Sequence, residues 1–165
     1  MRFVFIAVLL TAASPIFAAD DVYQPLWLYQ GHWKGTKKNL DSTTAQFDIV
    51  NDCARIGRFF GCQQTVDGKP GPLILFVPSG PAGHYYTQAV QPEGFAMGRG
   101  ELTIDGDHWT YMGKGEENGK STYSKTTNAF SGKDRIHFEL FESTDGEHWT
   151  STGSGEEIRS AKSEH

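Results

Sequence analysis

Beyond residue 30 the chain is a series of short runs rich in Val, Ile, Thr, Tyr, Phe and Trp, cut by Gly, Pro, Asn and Asp. No helical period runs through them, and the alternation of apolar and polar positions is that of half-buried strands. Ten strands are predicted, at 31–37, 44–53, 56–65, 72–77, 84–90, 97–104, 107–115, 120–128, 134–142 and 147–157. The breaks carry turn signals: Asp67-Gly68-Lys69-Pro70, Ser79-Gly80-Pro81-Ala82-Gly83, Pro92-Glu93-Gly94, Asp105-Gly106, Asn118-Gly119, Ser131-Gly132 and Asp145-Gly146. Short strands joined by tight turns predict an all-β fold, a single up-and-down antiparallel β-barrel of about ten strands, because closure leaves no sheet edge unpaired. Ahead of the first strand, Pro25-Leu26-Trp27-Leu28-Tyr29 predicts one short helical turn with Pro at its start.

Gly57-Arg58 fits a two-residue hairpin loop, with Gly in the first central position of a type II′ turn. Counting outward, Ile56 faces Phe59 and Cys53 faces Cys62. The cysteines then fall on a non-hydrogen-bonded pair, where Cα atoms approach to about 4.5 Å, and a cross-strand disulfide is predicted. The same register puts Phe47, Ile49 and Cys53 on one face with Phe60, Cys62 and Val66. In the Asp105-Gly106 hairpin Leu102 faces Trp109, and Tyr111 follows on that side. Ile136, Phe138 and Leu140 share a face of strand nine. Strand eight is polar from Ser121 to Thr127, with Tyr123 as its large apolar group. Such a strand is either the wet wall of a cavity, which a ten-stranded barrel can enclose, or a weak sheet edge. The segment Asp105-Gly106-Asp107-His108-Trp109-Thr110 is echoed by Asp145-Gly146-Glu147-His148-Trp149-Thr150, two similar hairpins in which Trp plugs the interior. Candidate cavity residues are Phe47, Ile49, Phe60, Tyr86, Trp109, Tyr111, Tyr123, Phe138 and Trp149; for each, plain core packing is the alternative.

The chain has 165 residues, room for one domain. Residues 1–18 read as a secretory signal peptide. Arg2 is its positive start, Phe3 to Leu10 its apolar stretch, and Ile16-Phe17-Ala18-Ala19 its cleavage region, with the cut after 18 or 19. The apolar stretch is shorter than the roughly 20 residues of a membrane span, and nothing later approaches one. A barrel domain at 20–159 and a flexible tail at 160–165 complete the expected organisation. The expected destination is periplasmic or secreted, where a disulfide persists. The formal net charge is −5, and −6 once Arg2 leaves with the leader. That balance argues against nucleic acid, whose binding rests on Lys and Arg, and against a polybasic membrane anchor.

Gly31-His32-Trp33, opening the first strand after a helical turn, resembles the Gly-x-Trp arrangement of the lipocalin and calycin superfamily. From Trp27 to Arg159 the chain resembles the ten-stranded nitrobindin-like branch and related uncharacterised secreted bacterial families. The resemblance is carried by Gln30-Gly31-His32-Trp33-Lys34-Gly35, by Gly57-Arg58-Phe59-Phe60 with Asp67-Gly68-Lys69-Pro70, and by Ser143-Thr144-Asp145-Gly146-Glu147-His148-Trp149. It implies that Trp33 closes one barrel end and that a basic residue after the last strand, here Arg159, packs on it, a cation over an indole face. With ten antiparallel strands, the first begins and the last ends at the same end, so Trp33 and Arg159 come out together. The opposite end is then the mouth, with the loops at 38–43, 66–71, 91–95, 116–119 and 143–147. The resemblance also implies a small, mainly apolar ligand. Nitrobindin-like members hold haem through a His near the C-terminus. The matching His137 lies between inward-facing Ile136 and Phe138 and points outward, so no cofactor is expected.

His32, His108 and His148 each precede a Trp, but the turns at 105–106 and 145–146 fall at opposite barrel ends. No metal-ligand spacing is present, and no metal site is expected. Gly115-Glu116-Glu117-Asn118-Gly119-Lys120-Ser121 is one residue short of a P-loop and reads as a hairpin, and there is no Gly-x-Ser-x-Gly elbow. The adjacent pairs Glu116-Glu117 and Glu156-Glu157 alternate across a strand and read as solvated. No catalytic constellation is legible. The expected function is an exported calycin-like barrel binding a small apolar or amphipathic ligand in its interior. The alternative is a protein-interaction or inhibitor module with a filled barrel, functional surface loops and an exposed apolar patch near 79–83 or 91–95.

Overall fold

Ten strands follow one N-terminal 3-10 turn, Gln24–Tyr29, in a computed structural model that describes residues 21–117 and 119–160. The expected leader and its cleavage point, Asn118, and residues 161–165 of the expected tail lie outside the described residues. The strands are β1 (Gly31–Asn39), β2 (Thr44–Ile56), β3 (Phe59–Val66), β4 (Lys69–Pro78), β5 (His84–Val90), β6 (Ala96–Asp105), β7 (His108–Glu117), β8 (Lys120–Ser131), β9 (Arg135–Ser143) and β10 (Thr150–Ser160). Each pairs antiparallel with the next, and β10 pairs with β1 to close an up-and-down barrel. Polar β8 is therefore not an edge: it is laddered to β7 and β9.

Hairpin register follows from where positive φ falls. At Gly57-Arg58 the glycine has φ 61°, Ile56 pairs with Phe59, and Cys53 pairs with Cys62. The two cysteines form a disulfide with Cα atoms 4.0 Å apart. At Asp67-Gly68 both residues have positive φ, 49° and 74°, as a type I′ turn requires. The third case corrects the predicted register. Asp105 pairs with His108, so the turn is Gly106-Asp107, with the glycine at φ 59° in the first central position. Trp109 consequently faces Ile104, and Leu102 faces Tyr111. The shift is even, so the faces are those expected.

The echo at 145–150 does not form a second such hairpin. Asp145 Oδ1 accepts from the backbone N–H of Glu147 and of His148, both at 2.8 Å, and from the Ser143 hydroxyl at 2.9 Å. These bonds hold 144–149 as a loop, and β10 begins at Thr150 rather than 147.

One end of the barrel is closed by the 3-10 turn. Leu26 is fully buried there, beside Trp33, Phe60, Trp109 and Phe130. The Tyr23 hydroxyl donates to the Arg58 carbonyl at 2.8 Å and the Tyr85 hydroxyl donates to the Val22 carbonyl. Trp33 Nε1 donates to the Tyr29 carbonyl at 2.9 Å. Arg159, directly opposite Trp33 on β10, lays its guanidinium 4.1 Å from the centre of the indole. That guanidinium also donates to the carbonyls of Gln30, Leu28 and Lys133, the last two at 2.7 and 2.9 Å. A charge is least costly to bury when it is both paired and hydrogen-bonded, and Asp134, 3.2 Å from Arg159 Nε, supplies the pair.

Candidate functional site: the barrel interior

Above the closed end the barrel is not filled. A cavity of about 650 Å³ lies inside, within the size range of small-molecule sites. Its apolar wall comes from β2, β4 and β9: Phe47, Ile49, Ile74, Phe76, Phe138 and Leu140. Two glycines make room for it. A Cβ on Gly35 would stand 2.1 Å from the Phe47 ring, and one on Gly155 2.5 Å from the Phe138 ring. Each ring covers its cross-strand glycine, as aromatic side chains do where a strand bends. The two rings meet across β1 and β10 with centroids 6.2 Å apart.

The opposite wall is polar. Ser124, Thr126 and Asn128 of β8 face the cavity. Asn128 Nδ2 donates to the Tyr29 hydroxyl at 2.8 Å, and the Tyr111 ring lies 6.3 Å from that of Tyr29 between centroids. Burial raises both phenols well above their usual value, so they are neutral donors and acceptors. On β2 and β3, Gln64 Nε2 donates to Asn51 Oδ1 at 2.9 Å across the strands. Two charged side chains complete the lining, Lys37 and Glu157. Glu157 has its carboxyl pushed up to about 7 by burial.

Of the nine candidate residues, Phe47, Ile49, Tyr111 and Phe138 line this cavity. Phe60 and Trp109 sit below it in the closed-end core. Phe60 packs on Trp27 at 4.9 Å and Trp109 on Phe130 at 4.6 Å between centroids. The other three lie on the outer wall, against expectation. Adjacent Tyr85 and Tyr86 must point oppositely, and Tyr85, opposite Leu102, takes the interior. Tyr86 therefore packs outside under Arg99, 4.1 Å away. On β8 the buried Phe130 sets the inward parity through Asn128, Thr126 and Ser124. Tyr123 falls on the other face, under Lys114 at 5.4 Å. Trp149 belongs to the Asp145 loop and lies 4.5 Å from Lys125 Nζ, which also covers Phe141 at 4.5 Å.

The solvated reading of the 156–157 pair is half right. Glu156 points out to Arg135 at 3.0 Å, whereas Glu157 points in. Sequence reasoning passed over Glu157, Lys37, Tyr29, Asn128 and the Asn51–Gln64 pair. Continuing the inward parity of Trp33 to Lys37, and of Arg159 back to Glu157, is the signal that finds the two charges. His137 is exposed between buried Ile136 and Phe138, and among the described residues no His lines the cavity. The interior therefore does not fit a haem held by a protein imidazole.

No protein-family model matches this chain, and no curated protein matches it in sequence. Solved structures do match its fold. The crystal structure of Rv2717c from M. tuberculosis aligns with a TM-score of 0.52 at 17% identity, over 86% of this chain and 98% of that one. The structure of S-type phycobiliprotein lyase CPES from Guillardia theta aligns with a TM-score of 0.54 at 11% identity, over 86% of this chain and 93% of that one. At such identities the likeness is one of fold, and the fold is a calycin-like closed barrel.

Proposed function

We propose that this chain is an exported calycin-like carrier that holds a small apolar or amphipathic molecule in its interior. The observation that carries the reading is the cavity of about 650 Å³, walled by apolar side chains on one side and by convergent polar groups on the other. A barrel serving only as a scaffold for its loops would gain stability by filling that space, since voids forfeit packing energy. Exposed Phe95 and Met97 stand at the mouth, and Met97 also lines the cavity. They fit an apolar rim where a ligand enters better than a separate docking patch. Within the nitrobindin-like resemblance, the ligand is one that needs no histidine. Export is part of the same proposal and rests on the leader and on the disulfide.

Native mass spectrometry of the mature protein from the exported fraction tests both parts. An added mass that is lost on denaturation is expected, on a chain cut after residue 18 or 19. Leu140→Trp, which fills the cavity, removes the added mass, and Tyr86→Ala on the outer wall leaves it. A chain that keeps residues 1–18 overturns export. A bare mass, together with no uptake of apolar probes by the purified protein, overturns the carrier.

A further inference from the structure

Among the described residues Glu157 is the one acidic side chain on the wall of this cavity, and none of them pairs with it. Its cross-strand neighbours are Gly35 on β1 and Ile136 on β9, neither of which carries a polar side chain. No hydrogen bond or ion pair joins its carboxylate to another described residue, and burial is the sole influence on its titration. The charged groups near it are engaged or turned away. Arg159, two residues on along the same face, is turned into the closed end, held by three carbonyls and by Asp134 at 3.2 Å. Lys37 runs towards the mouth, with its Cε 3.2 Å from where a Cβ on Gly153 would stand. Tyr29 from the 3-10 turn and Tyr111 from β7 face the same space as neutral hydroxyls. From β8 and β9 the facing groups are Thr126, Asn128, Phe138 and Leu140, which do not ionise.

A carboxylate desolvated in this way is relieved by a proton or by a cation. A ligand that brings the cation gains a charge-assisted hydrogen bond, and one that brings an apolar body also fills the Phe47 and Phe138 wall. We infer that the cavity selects a small apolar molecule bearing a protonated nitrogen, which docks on Glu157. The inference rests on the carrier reading above and adds the chemical class of the ligand.

Calorimetric titration with three probes of one shape tests it: 2-(1-naphthyl)ethylamine, 2-(1-naphthyl)ethanol and 1-naphthylacetic acid. Wild-type protein is expected to bind the amine about ten- to a hundredfold more tightly than the alcohol, and the acid least. Glu157→Gln, close in shape, is expected to erase the preference for the amine over the alcohol. In the wild type the preference is also expected to weaken between about pH 8 and about pH 6, as Glu157 takes up a proton. This arm does not depend on how well the variant folds. Equal binding of amine and alcohol by the wild type, or a preference that survives Glu157→Gln, overturns the inference and leaves the carrier standing. Tightest binding of the acid also overturns it and transfers charge selection to Lys37. Binding of none of the three overturns the inference, and the carrier falls with it when the native mass is bare as well.

Discussion

The ring of Phe47 occupies the space that a side chain on Gly35 would need, 2.1 Å from where its Cβ would stand. Phe138 and Gly155 repeat the relationship one strand pair further on, and there the Cβ would also stand 2.0 Å from the Thr36 carbonyl oxygen. Gly35→Ala therefore displaces a side chain, while Gly155→Ala also displaces backbone. Losses of about 1–3 kcal/mol are expected from such overpacking, the larger at Gly155. In a Phe47→Ala background the Gly35→Ala penalty should shrink, and chemical denaturation of the four proteins of that cycle measures the coupling.

Trp33 is buried under Arg159 at the closed end. Trp33→Ala should cost about 3–5 kcal/mol. Arg159→Met keeps much of the apolar cover over the indole but leaves the Leu28, Gln30 and Lys133 carbonyls without their donor. It is expected to destabilise less than Trp33→Ala. Thermal melts of both variants decide it, and an unchanged melt for Trp33→Ala would refute the closed-end assignment.

The Cys53–Cys62 bridge closes a short loop, with a sequence separation of 9. A chain-entropy argument assigns such a loop about 2–3 kcal/mol. Reduction, or Cys53→Ala with Cys62→Ala, should lower the unfolding free energy measured by denaturant titration by that amount. The barrel signature in circular dichroism should remain, because the β2–β3 ladder does not depend on the bond.

Stability should also carry two pH signatures of opposite sign. The folded-state value of Glu157 is raised from 4.5 to about 7, so the folded chain binds a proton that the unfolded chain has released. Its effect is that stability falls as pH rises through that window. Glu157→Gln should flatten the fall and be the more stable protein on its alkaline side. Asp145 is held below the usual carboxylate range, first by the His148 N–H and then by that of Glu147. Its contribution is present above its ordinary value and is lost as pH falls into the acid range. Urea titrations across pH, run on wild type, Glu157→Gln and Asp145→Ala, separate the two.

Much of the architecture is legible in the chain because it rests on local rules. Period-two alternation marks strands, and glycine at the first central position marks the turns at Gly57 and Gly106. Once Gly57-Arg58 is recognised as a hairpin, counting outward is enough to pair Cys53 with Cys62. The strand count then brings the start of β1 and the end of β10 to one end. Polar β8 is a cavity wall, one of the two readings its composition permits, but Ser124, Thr126 and Asn128 face inward and Tyr123 does not. Within 120–128 Tyr123 is the one large apolar group and so invites an inward placement, and the residue that decides against it, Phe130, lies past that predicted end.

Fold class, hairpin order and disulfide partners can be read along the chain because all are consequences of short-range geometry. Tertiary structure alone decided which of Tyr85 and Tyr86 enters the core, because both satisfy alternation and only packing against Leu102 and Tyr23 separates them. It placed Trp149 outside, because the Asp145 side chain captures backbone N–H groups that a tight hairpin would have used otherwise. It also left Glu157 facing an apolar cavity, since desolvation is a property of everything around a residue and not of the residue's place in the chain.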